Sequence, residues 1–116
     1  MRPHHVPFTR NRSLGQVVTM TIDRPVDPKH GFVYPVNYGY VAAVIAPDGD
    51  ELDAYLLGVD HPVESAEGIV IAVVHRRDND DDKLVVVPEG VTLDDAEIKA
   101  AVDFQERFFA SDVMRR

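Results

Sequence analysis

Short β-prone segments, separated by prolines, glycines and aspartates, constrain the fold of this chain more than any other feature of its sequence. The segments are rich in valine, isoleucine, leucine or tyrosine and cover residues 16–22, 41–45, 54–59, 68–75 and 83–87. Turn signals such as Pro-Asp-Gly and Asp-His-Pro end these runs. The pattern therefore predicts five strands in a small barrel-like sheet.

The pattern changes toward the C-terminus. Residues 92–95 have the spacing of a capping box, with aspartate in place of the usual glutamate or glutamine. Apolar residues then recur at roughly helical spacing, at Ile98, Ala101, Val102, Phe104 and Phe108. We expect one amphipathic helix, from about residue 94 to residue 109, packed on the sheet.

Length, charge and composition narrow the class of protein. The 116 residues suffice for a single domain over residues 1–116, with a loose N-terminal arm over residues 1–14. The formal net charge of −8 argues against nucleic-acid binding and against docking on an anionic membrane. The absence of cysteine excludes disulfides and thiol catalysis. Because no apolar run is long enough for a membrane span or a signal region, we expect a cytoplasmic protein.

Three aspartates lie within six residues, at Asp48, Asp50 and Asp53. Carboxylates packed this closely repel one another at neutral pH, so solvent, a basic partner or a cation must compensate their charge. Mg²⁺ fits because it takes oxygen ligands and shares them between carboxylates and substrate phosphates. The alternative is an ordinary turn in which aspartate accepts local backbone hydrogen bonds.

A second acidic segment contains Asp78, Asp80, Asp81 and Asp82, and Lys83 follows it directly. If both acidic segments lie at one end of the sheet, they form a bowl of carboxylates with a lysine at its edge. Such a bowl can hold divalent ions that clamp phosphate oxygens and activate a water molecule. The alternative is a solvated charged loop.

Tyrosines precede the first acidic segment. Tyr34, Tyr38 and Tyr40 have the same parity, as residues on one face of a strand do. Core packing and contact with a ligand explain this arrangement about equally well.

Three motifs together resemble the soluble inorganic pyrophosphatases of family I. Residues 48–54 resemble that family's Asp-x-Asp-x-x-Asp signature, and residues 34–40 resemble its tyrosine segment. Residues 78–88 resemble its second acidic loop and the strand that follows. The resemblance covers about residues 29–88 and implies a mainly β, or α+β, fold: a small OB-like closed β-barrel with one C-terminal amphipathic helix.

The resemblance also implies a division of roles among the side chains. The implied metal ligands are Asp48, Asp50, Asp53, Asp78 and Asp81. The implied phosphate-holding side chains are Tyr38, Lys83 and Lys29. Asp50 would lie beside the attacking water, as a ligand and as the general base.

The chain differs from the family in its cationic groups. The short interval between Lys29 and Tyr34 leaves no room for the family's hairpin, which carries a phosphate-binding arginine. Arg24 is a candidate replacement. The family's C-terminal Tyr-Lys pair corresponds to Phe108 and Phe109, which cannot donate to phosphate. Arg107, or Arg115 and Arg116, are candidate replacements for that pair. The chain is identified as a shortened member with fewer phosphate-holding groups.

The resulting functional prediction is Mg²⁺-dependent hydrolysis of pyrophosphate to two phosphates by a metal-activated water. One alternative is a Mg²⁺-dependent hydrolase of another small phosphoanhydride, and the other is a non-catalytic metal-binding relative. The resemblance further implies a homo-oligomer, because the family commonly forms one.

Overall fold

The computed structural model describes residues 6–7, 13–26, 35–45, 51–78 and 81–115. The strands within these ranges are β1 (Val6–Pro7), β2 (Val17–Arg24), β3 (Asn37–Ile45), β4 (Glu51–Leu56), β5 (Ser65–Arg76), β6 (Asp81–Val87) and β7 (Ser111–Met114). A helix, α1, spans Asp95–Glu106.

Five of the strands close into a barrel in the order β3–β2–β5–β6–β4, with β4 pairing back onto β3. The β4–β6 pair is parallel and the other pairs of the ring are antiparallel. Outside the ring, β1 lies parallel to β3, and β7 pairs with β5. The predicted OB-like closed β-barrel is therefore confirmed.

Alternation of side chains along the strands divides the core into two layers. One layer receives residues from all five barrel strands and fills the interior, with Met20, Leu52 and Leu84 fully buried. The other layer lies on the outer face, between α1 and the strands β3, β4, β5 and β6. Ile98 and Val102 of α1 pack there. Polar residues that share this outer face lie close to the helix.

Helix α1 begins with a reciprocal capping box. The Asp94 carboxylate accepts from the Glu97 N–H at 2.8 Å, and the Asp94 N–H donates to the Glu97 carboxylate at 3.1 Å. The predicted box over residues 92–95 was wrong by two residues, because the side chain of Glu97 reaches the N-cap. Among the described residues, no helix is long and apolar enough to cross a membrane.

Several element boundaries differ from the sequence prediction. β4 and β6 begin earlier than expected, so Asp53 and Asp81 lie inside strands rather than in loops. Their backbones pair with Tyr40 and Arg76, respectively, which overrides the low strand propensity of aspartate. β7 was not predicted. The loose arm over residues 1–14 stays a prediction, although β1 lies within it and Leu14 is buried in the barrel core.

Gly39 allows β2 and β3 to approach closely beside Tyr38. A Cβ atom at Gly39 would overlap the Thr21 carbonyl oxygen, which belongs to the backbone and cannot move aside easily. We expect Gly39→Ala to lower the free energy of unfolding by about 3 kcal/mol or more. Gly90→Ala is the control, since an added Cβ has open space there and only a positive φ to overcome, at a cost of about 1–2 kcal/mol. Equal losses of stability in urea denaturation would contradict the steric explanation.

Candidate active site

A lysine between two aspartates forms the centre of a group of polar side chains on the outer face of the barrel, here called the polar face. Its described members are Tyr38, Asp53, Arg76, Asp81, Lys83 and Glu106. Ala54 of β4 and Leu84 of β6 are register partners that face the barrel interior. Their neighbours Asp53 and Lys83 therefore face outward side by side. The Lys83 Nζ donates to Asp53 Oδ2 at 3.2 Å and to Asp81 Oδ2 at 3.3 Å.

Burial differs sharply within this group. The Lys83 side chain is 5% exposed, whereas those of Asp53 and Asp81 are 46% and 41% exposed. A buried ammonium needs charged or polar partners, and the two carboxylates supply them. Their partial exposure leaves them accessible to a ligand, while the lysine is held in place.

Tyr38 completes the group from the neighbouring strand β3. Its hydroxyl donates to Asp53 Oδ2 at 2.8 Å, and its ring lies edge-on to Tyr55, with ring centroids 5.1 Å apart. Burial, followed by the negative charge of Asp53, raises the pKa of Tyr38 well above its ordinary value. The hydroxyl therefore remains a hydrogen-bond donor across the physiological pH range.

Arg76 and Glu106 form a buried ion pair next to Asp81. Arg76 Nε and Nη2 donate to Glu106 Oε1 and Oε2 at 2.9 and 2.7 Å. Glu106 also accepts from the Tyr55 hydroxyl at 2.6 Å and from the Ser111 hydroxyl at 2.7 Å. Burial opposes ionisation of Glu106, but the hydrogen bonds from these three residues outweigh it and hold the pKa of Glu106 below its ordinary value.

Arg76 connects this pair to the exposed carboxylates. Its Nη1 lies 3.5 Å from Asp81 Oδ2, and its guanidinium carbon lies 3.7 Å from the centroid of the Phe109 ring. Polar contacts thus run from Asp53 through Lys83, Asp81 and Arg76 to Glu106 on the helix.

Arg76 and Glu106 were not among the residues predicted from the sequence. The signal was present, because Arg76 continues the buried alternation of Ala72 and Val74, and Glu106 continues the four-residue spacing of the buried helix positions. Two opposite charges at core positions of different elements indicate a buried ion pair. Their partnership is a tertiary contact, however, which neither local pattern specifies.

The structure brings together four of the predicted site residues: Tyr38, Asp53, Asp81 and Lys83. Asp78 lies beyond the end of β5, where its carboxylate accepts from the Ala110 N–H at 3.4 Å. Its role as a metal ligand stays a prediction. The remaining predicted site residues lie outside the described residues: Asp48, Asp50 and Lys29.

Two of the arginines that could replace the family's phosphate-binding groups lie in different parts of the structure. The Arg24 guanidinium carbon lies 6.0 Å from the centroid of the Tyr38 ring, at the edge of the polar group. Arg107 pairs with Asp103 on the surface of the helix. Phe109 covers Arg76, so this end of the chain contributes an aromatic ring to the site.

The polar face fits a divalent ion that is shared with a ligand. Within the described ranges, no three histidine, aspartate or glutamate side chains form a group that could hold a metal ion. Asp53 and Asp81 nevertheless offer two partly exposed sets of hard oxygen donors. Mg²⁺ is commonly bound by one or two carboxylates together with water and substrate phosphates. The donor set therefore suits Mg²⁺, but not as a closed protein cage.

The family model described as inorganic pyrophosphatase matches residues 13–112, which include every described member of the polar face. The chain belongs to this family. The predicted membership and the predicted enzyme class, an inorganic pyrophosphatase and thus a hydrolase, are confirmed. No curated protein is similar enough in sequence to count as a relative.

Solved structures agree with this assignment at the level of the fold. An inorganic pyrophosphatase from Ehrlichia chaffeensis has a TM-score of 0.64 and 16% identity, with 85% of each chain covered. One from Coxiella burnetii has a TM-score of 0.59 and 21% identity, with 88% of this chain and 86% of that chain covered. One from Neisseria gonorrhoeae has a TM-score of 0.58 and 24% identity, with 78% and 72% covered.

The lowered pKa of Glu106 predicts a loss of stability in acid. Ionised Glu106 stabilises the fold fully above the ordinary glutamate pKa of about 4.3, and this contribution disappears as the pH falls through the lower pKa of the folded state. We expect the stability difference between the native protein and Glu106→Gln to shrink below about pH 4. Urea denaturation from pH 7 to pH 3 measures it, with the exposed Asp103→Asn as the control. A difference that stays constant with pH would contradict the assigned ionisation.

Proposed function

We propose that this pyrophosphatase-family protein hydrolyses inorganic pyrophosphate to two phosphates in a Mg²⁺-dependent reaction. The observation that carries the proposal is the buried Lys83 ammonium, which lies between the partly exposed Asp53 and Asp81 on the face that also carries Tyr38. This arrangement combines oxygen donors for a cation with N–H and O–H donors for a phosphate.

The proposed metal ligands are those that the resemblance implies: Asp48, Asp50, Asp53, Asp78 and Asp81. When bound, Mg²⁺ neutralises phosphate charge and lowers the pKa of a coordinated water. Asp50 is the proposed general base, because a carboxylate beside that water can accept its proton.

Lys83 and Tyr38 are the proposed phosphate-holding donors from the described residues. The single O–H of Tyr38 is donated to Asp53 in this structure, so the Tyr38 hydroxyl must turn away from Asp53 to bind a phosphate oxygen. An ammonium group has three N–H donors, and Asp53 and Asp81 accept from Lys83 Nζ within the described part of the chain. A phosphate oxygen can be bound by the third donor. Donors held in place before the reaction stabilise negative charge that develops on the phosphate without further rearrangement. Lys29 is proposed as a third phosphate-holding residue.

A second candidate is the hydrolysis of another small phosphoanhydride with the same carboxylates. It is favoured by the C-terminal end of the site, where Phe109 packs on Arg76 and Phe108 is 75% exposed. Aromatic rings at this place hold phosphate less strongly than hydroxyl and ammonium donors would. A non-catalytic metal-binding relative is the remaining alternative.

The cellular setting is also proposed. A cytoplasmic location is supported by the absence of cysteine, and the net charge of −8 argues against nucleic acid or an anionic membrane as a partner. A homo-oligomer is proposed from family membership. Light scattering of the native protein measures that state directly.

Phosphate release from pyrophosphate tests the function. We expect release by the native protein with Mg²⁺ and none above background after chelation. Asp50→Asn and Asp53→Asn are each expected to lower kcat/KM by about a hundredfold or more, because each removes a charged ligand or base. Asp103→Asn, an exposed aspartate on α1 that pairs with Arg107, is the matched control and retains near-native activity.

Other outcomes favour the alternatives. Release from nucleotides or other phosphoanhydrides, with none from pyrophosphate, favours the second candidate. If no substrate is hydrolysed but calorimetry detects Mg²⁺ binding, the protein is a metal-binding relative. If Asp53→Asn keeps native activity, the described polar face is not the active site.

A further inference from the structure

We propose that Arg76 is a built-in cation of the site, which compensates the charge of Asp81 and thereby weakens the binding of divalent ions at that carboxylate. The inference goes beyond the proposed function and depends on it only in treating Asp81 as a metal ligand. It assigns a role to a residue that lies outside the three motifs by which the sequence resembles the family.

The geometry divides the guanidinium between two carboxylates. Arg76 Nε and Nη2 donate to Glu106 at 2.9 and 2.7 Å, and Nη1 points toward Asp81 at 3.5 Å. Because the guanidinium is planar, two bonds to Glu106 fix the direction of the third nitrogen. The Phe109 ring, 3.7 Å from the guanidinium carbon, restricts motion out of that plane.

Burial makes this charge a permanent feature of the site. The Arg76 side chain is 7% exposed and that of Glu106 is 6% exposed, so neither can turn out to solvent without breaking the pair. Glu106 is itself held by Tyr55 and Ser111. The cation therefore remains beside Asp81 whether or not a ligand is bound.

The negative charge of Glu106 does not cancel the effect of the positive charge of Arg76 on Asp81. Glu106 contacts the opposite edge of the guanidinium, so the pair is a dipole whose positive end faces Asp81. Lys83 adds a second positive charge at 3.3 Å from the same Oδ2 atom. A divalent ion that approaches Asp81 is repelled by both cations, whereas a phosphate oxygen is attracted by them.

The expected consequence is weak binding of Mg²⁺ in the absence of substrate. Arg76 and Lys83 already neutralise the negative charge of Asp81, so little of that charge is left to attract Mg²⁺. A bound phosphate supplies new negative charge for the ion. Binding of the metal and of the phosphate should therefore be coupled at this edge of the site, and Arg76 sets part of that coupling.

The test is calorimetric titration of the substrate-free protein with Mg²⁺ alone. Arg76→Gln with Glu106→Gln removes the buried pair without changing net charge and leaves neither partner as an uncompensated buried charge. We expect this double variant to bind Mg²⁺ about fivefold more tightly, which corresponds to a partly screened charge interaction. The matched control is Arg107→Gln with Asp103→Asn, which removes an exposed arginine–aspartate pair on the same helix. It should leave the affinity within about twofold of native.

Glu106→Gln alone should change the Mg²⁺ affinity in the opposite direction. It keeps the positive charge of Arg76 but removes its counter-charge, so Mg²⁺ should bind about fivefold more weakly. Circular dichroism checks that the double variant and Glu106→Gln are folded. If one of the two is unfolded, the Mg²⁺ affinity of the other tests the role of Arg76. An affinity that is unchanged, or shifted in the reverse direction, in the folded variant would overturn the role of Arg76.

Phosphate release, measured separately, distinguishes failure of this inference from failure of the proposed function. If the double variant binds Mg²⁺ more tightly and the native protein does not hydrolyse pyrophosphate, the role of Arg76 is supported and the proposed reaction is wrong. If the native protein hydrolyses pyrophosphate but the double variant and its control bind Mg²⁺ equally, the proposed reaction is supported and the role of Arg76 is wrong.

Discussion

The buried pair of Arg76 and Glu106 is the interaction on which the outer face of this barrel depends. It connects the end of β5 to the last turn of α1, and through the Ser111 hydroxyl it also reaches β7. Removal of one member leaves an uncompensated charge in a buried position, at a typical cost of about 3–5 kcal/mol. The pair therefore orients the helix end while presenting one guanidinium nitrogen to the exposed carboxylates.

The described part of the candidate site follows from the alternation of side chains along the strands. Asp53, Asp81 and Lys83 are strand residues, and Leu52, Ala54 and Leu84, which flank Asp53 and Lys83, pack inside the barrel. Their Cα positions are fixed by backbone pairing, and the burial of Lys83 fixes its ammonium as well. A site of this kind is organised before a ligand arrives, which reduces the cost of ordering side chains on binding.

Much of the fold could be predicted from the sequence, because strand alternation and helical spacing are local patterns and the three motifs pointed to a known barrel. The boundaries of β4 and β6 could not, since pairing with Tyr40 and Arg76 extends strands through aspartates that locally favour turns. The short strand β7 depends on β5 for its partner. Tyr38, Asp53, Asp81 and Lys83 were predicted from motifs, and the structure brings them together. The contact between Arg76 and Glu106 joins residues 30 positions apart, and no local pattern specifies it.

The cationic side chains of this site come from different positions than the resemblance to the family predicts. The resemblance predicts a tyrosine–lysine pair near the C-terminus, but the chain has Phe108 and Phe109, and Phe109 packs on Arg76. The positive charges on the described face therefore come from Lys83 and Arg76 on β6 and β5, and both residues are buried. Cations held beside the carboxylates favour a bound phosphate but oppose a bound metal ion. Under the proposed role of Arg76, binding of a metal ion and binding of a phosphate therefore depend on each other, because each ligand provides the charge that the other needs.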